Sequence, residues 1–419
     1  MAAGYLEILR ARHAARLLAG TLVGRLPNAT AAIALVLFVR AEGGTYSLAG
    51  VLAAVYGVAN AVGQPVLGRL VDLRGQPRVQ LPAAVLSAAS MAVFALCGLD
   101  SLPLAYGAVA AAGLFTPPLE GGLRALWPSV LRREEQVHTA YAMDAVAQEV
   151  MFTVGPLLVT LCVSAWSERA AVLVVNALGV LGALSVVVSP PSRAWRSAPR
   201  AAHWLGALRS PGLLVLLGAF LFVGVALGSI TVASVSYADG HGGDAVYGWL
   251  MAGLGLGALV GGTVYGARQW GGVPERRLRV LVAFLAVCYL PLTLMPGAVA
   301  MVSLTVVAGV FLAPCLACAF VIVDRHAPSG TVTEAFSWLV TTFTVGSSVG
   351  TGVAGPVVEA GGALWGFVVP GGAGAVSLLV LLAGGRVLAA PAGGGVVASA
   401  SENDPNRAVE PRFSSGDRA

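Results

Sequence analysis

The chain has 419 residues and a formal net charge of +5, from 25 basic and 20 acidic side chains. Only 11% of its residues are charged and 57% are hydrophobic, with a mean hydropathy of +0.83. A soluble domain carries about 25% charged residues, so a water-soluble enzyme is excluded and a polytopic membrane protein is expected.

Met1 to Arg16 is basic, and the apolar run behind it lacks a small-residue cleavage site, so it is expected to stay as a first span rather than leave as a signal peptide. A span needs about 20 apolar residues. Twelve such runs follow one another at 17–39, 47–67, 79–99, 103–124, 139–164, 170–189, 211–236, 245–267, 280–297, 298–322, 333–358 and 361–384. All are expected to be helices, because runs such as Val172 to Val188 lack the alternation of barrel strands.

Arg25 lies near mid-depth in span one, with Pro27 and Asn28 beside it. An ionisable side chain there costs about 3 kcal/mol on insertion scales and is normally paired and functional. The loop after span two reads Gly68-Arg69-Leu70-Val71-Asp72-Leu73-Arg74-Gly75-Gln76-Pro77-Arg78. Its glycines allow a tight turn and close backbone approach, and Asp72 can accept backbone N–H groups or pair with Arg. Glu120 and Arg124, at the end of span four, share a face at i, i+4 and are expected to pair with each other or with the Asp72 loop. Span five places Glu149 near mid-depth, with Asp144 and Gln148 on nearby faces. An Arg25–Glu149 ion pair is expected, with Glu149 carrying a proton and Arg25 holding it ionised until protonation or substrate binding releases it. The second half is nearly free of charge inside its spans. Phe115, Phe336, Trp338 and Phe343, with Asn28 and Gln148, are expected near a cavity that suits an amphipathic organic molecule better than a sugar.

Twenty-two of the 25 Arg residues fall on one side of this twelve-span topology. The positive-inside rule makes that side cytoplasmic, together with both termini. The connection 190–210 divides the spans into units at 1–189 and 211–388, and the polar, Gly- and Ser-rich stretch 389–419 is expected to be a disordered tail. The halves repeat each other. Ala54-Val55-Tyr56-Gly57 recurs as Ala245-Val246-Tyr247-Gly248, Gly113 to Pro118 as Gly309 to Pro314, and Gly155-Pro156 as Gly355-Pro356, at offsets of 191, 196 and 200. Duplicated six-span units are a transporter signature, with the substrate path between the halves. The chain has no Lys, hence no phosphate loop for ATP-driven work. Its Arg residues are too dispersed for a nucleic-acid face, and its five Cys and five His lack ligand spacing, so neither cofactor nor metal is expected.

The 68–78 segment resembles the signature between helices two and three of the major facilitator superfamily. Gly68, Asp72 and Gly75 match it, and Arg74 and Arg78 stand close to its basic positions. The second copy, Gly262 to Arg279, keeps Gly266 and a basic cluster but no Asp. The resemblance implies an all-α membrane protein of twelve helices in two pseudo-symmetric six-helix bundles, and a gating role for Gly68, Asp72, Arg74, Gly75 and Arg78. The Gly-Pro of span five is similar to part of the drug–proton antiporter motif, while the Arg those proteins carry in span four is absent. The expected function is monomeric, proton-coupled efflux of small amphipathic compounds, such as drugs or secondary metabolites, across the inner (plasma) membrane. A proton symporter importing a nutrient is the alternative, and a polytopic membrane enzyme the distant one.

Overall fold

The computed structural model describes residues 2–199, 203–268 and 270–389, and these are helices joined by turns and short irregular stretches. The expected tail beyond Ala389 lies outside the described residues. The helices are α1 (Ala2–Arg10), α2 (Ala14–Ala41), α3 (Tyr46–Arg74), α4 (Gln76–Cys97), α5 (Leu102–Leu114), α6 (Leu119–Val130), α7 (Glu134–Ala165) and α8 (Glu168–Val187). They continue as α9 (Pro190–Ala194), α10 (Pro211–Asp239), α11 (Asp244–Gly266), α12 (Pro274–Tyr289), α13 (Ala298–Gly309), α14 (Leu312–His326), α15 (Val332–Ala383) and α16 (Gly385–Leu388). Eleven helical stretches among the described residues are long and apolar enough to cross a membrane. The last of them, α15, is broken at Gly362, whose φ of 75° interrupts 52 residues.

Several expected boundaries move, each for a local reason. The span expected at 103–124 is two helices, α5 and α6, parted at Phe115–Pro118, where two prolines remove backbone donors. The span at 298–322 divides likewise into α13 and α14. The signature segment is no loop. Helix α3 runs on to Arg74, Gly75 alone turns the chain at φ 85°, and α4 starts at Gln76. The connection 190–210 carries the short α9 and a 3-10 turn at Gly206–Arg209.

The duplication is written into the packing. Gly113 of α5 lies so close to α3 that a Cβ would strike the carbonyl of Tyr56, and Gly309 of α13 is held against Leu254 of α11 in the same way. Gly63 faces Leu114 as Gly261 faces Val310. Val58, Val62 and Val66 form an exposed apolar stripe on α3, as Leu256, Val260 and Val264 do on α11, 198 residues on. In water such stripes would be unfavourable; in a bilayer they are ordinary lipid-facing surface. The register corrects one sequence match: Tyr56 is the counterpart of Leu254, so the Ala-Val-Tyr-Gly pair at offset 191 is two turns out of step.

The Arg-rich connections gather at one end. Arg69 donates to the carbonyls of Trp204 (2.7 Å) and His203, Ser192 donates to Gln76 (2.8 Å), and Trp195 donates to the carbonyl of Ala125 (3.2 Å). Helix α1 joins them through the Arg133–Glu7 ion pair and through Tyr5, which donates to the carbonyls of Gly262 and Thr263. At this basic end one apolar core, including Trp127, Tyr141, Phe320 and Phe336, runs without interruption from the first half into the second.

Candidate functional site

Arg25, on α2, is 7% exposed and its guanidinium reaches both α6 and α7. Nη1 donates to Asp144 at 3.0 Å; Nη2 pairs with Glu120 at 2.9 Å and donates to Gln148 at 3.3 Å. Arg124, fully buried, answers from the other side. Its Nε meets the second Asp144 oxygen at 2.7 Å, and its Nη2 reaches Glu120 and Gln148 at 3.5 and 3.4 Å. The arrangement is a closed ring of two guanidiniums and two carboxylates, with the Gln148 amide oxygen shared between the cations. Spacing explains it. Asp144 and Gln148 are one turn apart on α7, as Glu120 and Arg124 are on α6, so two helix faces present four groups to Arg25. The ring is formally neutral, which is what makes burial of four charges tolerable.

The expected Arg25–Glu149 pair is therefore replaced by pairs to Asp144 and Glu120. A step of one residue turns a helical side chain by about 100°, and that turn separates Glu149 from the face holding Gln148. Glu149 stands instead within electrostatic reach of Tyr289 on α12, in the second half. Glu120 and Arg124, expected as a local pair, belong to the ring. Glu120 is its most exposed charged member, at 14%.

The ring touches the opposite half through Arg124. Its guanidinium carbon sits 3.7 Å from the ring centroid of Phe320 on α14 and 5.9 Å from that of Phe336 on α15. Tyr141 closes the aromatic group, 6.2 and 5.8 Å from the same two rings. Arg124 and Phe320 are 196 residues apart, the offset between Gly113 and Gly309, so they occupy corresponding positions of the repeat. Sequence reading passed over this contact, although the repeat offset applied to Arg124 leads straight to Phe320.

A second junction lies nearby. Asp72, 8% exposed, accepts the backbone N–H groups of Thr333 (3.1 Å) and Glu334 (2.9 Å) at the start of α15. A carboxylate at a helix N-terminus meets unpaired donors and the positive end of the helix dipole. Gly68, one turn earlier, lets α3 approach Ser337. Arg74 and Arg78 are exposed, whereas Gln76, which replaces a basic residue of the signature, is buried and donates to the carbonyl of Gly122 at 2.9 Å.

The residues expected around a substrate are dispersed. Gln148 is engaged by the ring. Asn28 accepts from Asn60 of α3 at 3.0 Å and borders a void of about 10 Å3 within the first half. Phe115 caps α5 half-buried, and Trp338 and Phe343 pack against the core of the second half.

Apolar helices in a duplicated arrangement, with a buried charge ring and junctions between the halves, define a membrane transporter of small molecules rather than a catalytic fold. Residues 17–351 match the Major Facilitator Superfamily, and the chain belongs to it. Among solved structures it is similar to the human organic anion transporter MFSD10 (TETRAN), with a TM-score of 0.67 and 17% identity, over 88% of this chain and 98% of that one. A bacterial homologue of the iron transporter ferroportin in an outward-facing state gives 0.68 and 14%, over 89% and 99%. The E. coli fucose:proton symporter FucP gives 0.67 and 16%, over 88% and 97%. No curated protein matches the chain.

Proposed function

We propose that this chain is a proton-coupled exporter of small amphipathic compounds, drugs or secondary metabolites. It works as a monomer of twelve helices in two six-helix bundles, with both termini on the cytoplasmic side of the inner (plasma) membrane. The observation that carries the coupling is the Arg25–Asp144–Arg124–Glu120 ring. A proton on Glu120 removes one negative charge from a balanced set of four and loosens the hold on Arg124, the member resting on Phe320 and Phe336 of the other half. Proton binding and separation of the halves are then one linked equilibrium. With the basic end cytoplasmic, the halves meet there in this state. Glu149 is a second candidate proton carrier.

The test uses the purified full chain in liposomes, with an imposed pH gradient and a panel of amphipathic cations, anions and neutral compounds. Glu120→Gln should abolish gradient-driven transport and leave substrate exchange without a gradient intact. Gradient-driven transport unchanged in both Glu120→Gln and Glu149→Gln would sink the coupling. Accumulation in inverted vesicles supports export, and uptake by whole cells would replace it with nutrient import.

A further inference from the structure

The first-half junction has no literal copy in the second half. Gly68 packs α3 against α15, and its counterpart Gly266 packs α11 against Ala142 of α7. Four residues after Gly68 stands Asp72, whose carboxylate bridges the halves. Four residues after Gly266 stands Trp270, and beside it lies a cavity of about 360 Å3. Its α7 wall carries Glu135 and His138; the opposite wall carries Tyr265, Arg268, Trp270 and Arg277. Trp270 stacks on Tyr265 at 5.0 Å between centroids, and the guanidiniums of Arg268 and Arg277 lie 5.1 and 5.6 Å from its ring. Arg277 donates Nη1 to the Tyr265 hydroxyl at 3.1 Å, while its buried Nη2 has no hydrogen-bond partner among the described residues. Two guanidiniums against one carboxylate leave the cavity with an excess of donors and positive charge on an aromatic platform.

We propose that this cavity binds a small organic anion whose carboxylate or phosphate head accepts from Arg277 and Arg268 while its planar body lies on Trp270. The bound anion is held by the α11–α12 connection and α12 and faces α7 across the cavity, at the place that corresponds to Asp72 in the first half. Planar guanidiniums match carboxylate and phosphate geometry, and they stack on aromatic faces as they do here. A cavity of this volume holds more than an inorganic ion and falls at the small end of ordinary ligand pockets. A dissolved anion and an anionic lipid whose phosphate reaches the basic end share this chemistry, and the experiment separates the two.

Salicylate is titrated into the full chain in neutral-lipid nanodiscs, with binding read by calorimetry. In parallel, nanodiscs containing phosphatidic acid are released into a mass spectrometer to count retained lipids. Saturable salicylate binding that weakens at least tenfold in Arg277→Gln assigns a soluble ligand. A retained phosphatidic acid lost in the same variant, without salicylate binding, assigns a lipid head. Neither probe distinguishing the unaltered chain from Arg277→Gln and Arg268→Gln overturns the proposal. Should those variants fail to fold, hydrogen exchange on the unaltered chain decides. Slowing at 135–139 and 265–277 on adding either probe supports the site, and no slowing there overturns it.

Discussion

Each oxygen of Asp144 faces a different guanidinium, at 3.0 and 2.7 Å, and no part of the residue is exposed. Asp144→Asn leaves two buried cations against Glu120 alone. Removing one member of a buried ion network costs about 3–5 kcal/mol, because the remaining charge is uncompensated. The variant should lose that much stability in detergent, measured by denaturant unfolding. Glu120→Gln should lose markedly less, since its partly exposed carboxylate is screened by solvent. Equal losses in the two would mean that Asp144 is not the centre of the ring. Arg25 selects Asp144 over Glu149 through helical phase, and that much could be computed from sequence: Asp144 and Gln148 share a face, and Glu149 does not. Mid-depth charge alone, without the phase, pointed to the wrong carboxylate.

Gly75 is the element-scale counterpart, a single residue joining α3 to α4 at φ 85°. With ψ at 158° the residue sits in a region that essentially only glycine enters, where a Cβ costs about 1–3 kcal/mol, and here no loop exists to absorb it. Gly75→Ala and Gly75→Asn should each lower the unfolding free energy by about that amount, because neither side chain suits this region; unchanged stability in both would show that the turn can relax. Apolar runs placed the spans because twenty residues cross a bilayer whatever they pack against. The breaks were less visible, since Gly362 interrupts α15 inside an apolar stretch and the helical end of α3 is as polar as a loop. The Asp72 junction was legible as a pattern, and its acceptance of N–H groups from α15 depends on two segments some 260 residues apart meeting in space. The Ala-Val-Tyr-Gly repeat failed because Ala and Val recur everywhere in such a chain, whereas the glycines at helix crossings cannot be replaced without parting the helices.

Both junctions at the basic end converge on the first turns of α15: Asp72 binds its N-terminus, and Arg124 rests on Phe320 and on Phe336 of the same helix. Opening that end must release Asp72 from the α15 backbone and Arg124 from the rings of Phe320 and Phe336. A desolvated cation–π contact is worth about 2 kcal/mol, and a charge-assisted hydrogen bond to backbone about 1.5–3 kcal/mol. Phe320→Leu keeps an apolar side chain and removes the π face, so it should raise the population open at the basic end by up to roughly thirtyfold. Asp72→Asn keeps one acceptor and should act in the same direction. Spin labels on cysteines at the exposed Arg78 and Arg276, one in each half, report the separation by pulsed electron resonance once Cys97 and Cys288 are changed to Ala. Because Asp72 and Phe336 engage one helical turn of α15, Asp72→Asn combined with Phe336→Leu should be less than additive, as contacts sharing a partner are. Asp72→Asn with Phe320→Leu should come nearer to additivity, since Phe320 sits on α14. Distance distributions that stay unchanged in all four variants would mean the basic end is held by its continuous apolar core rather than by these two charges.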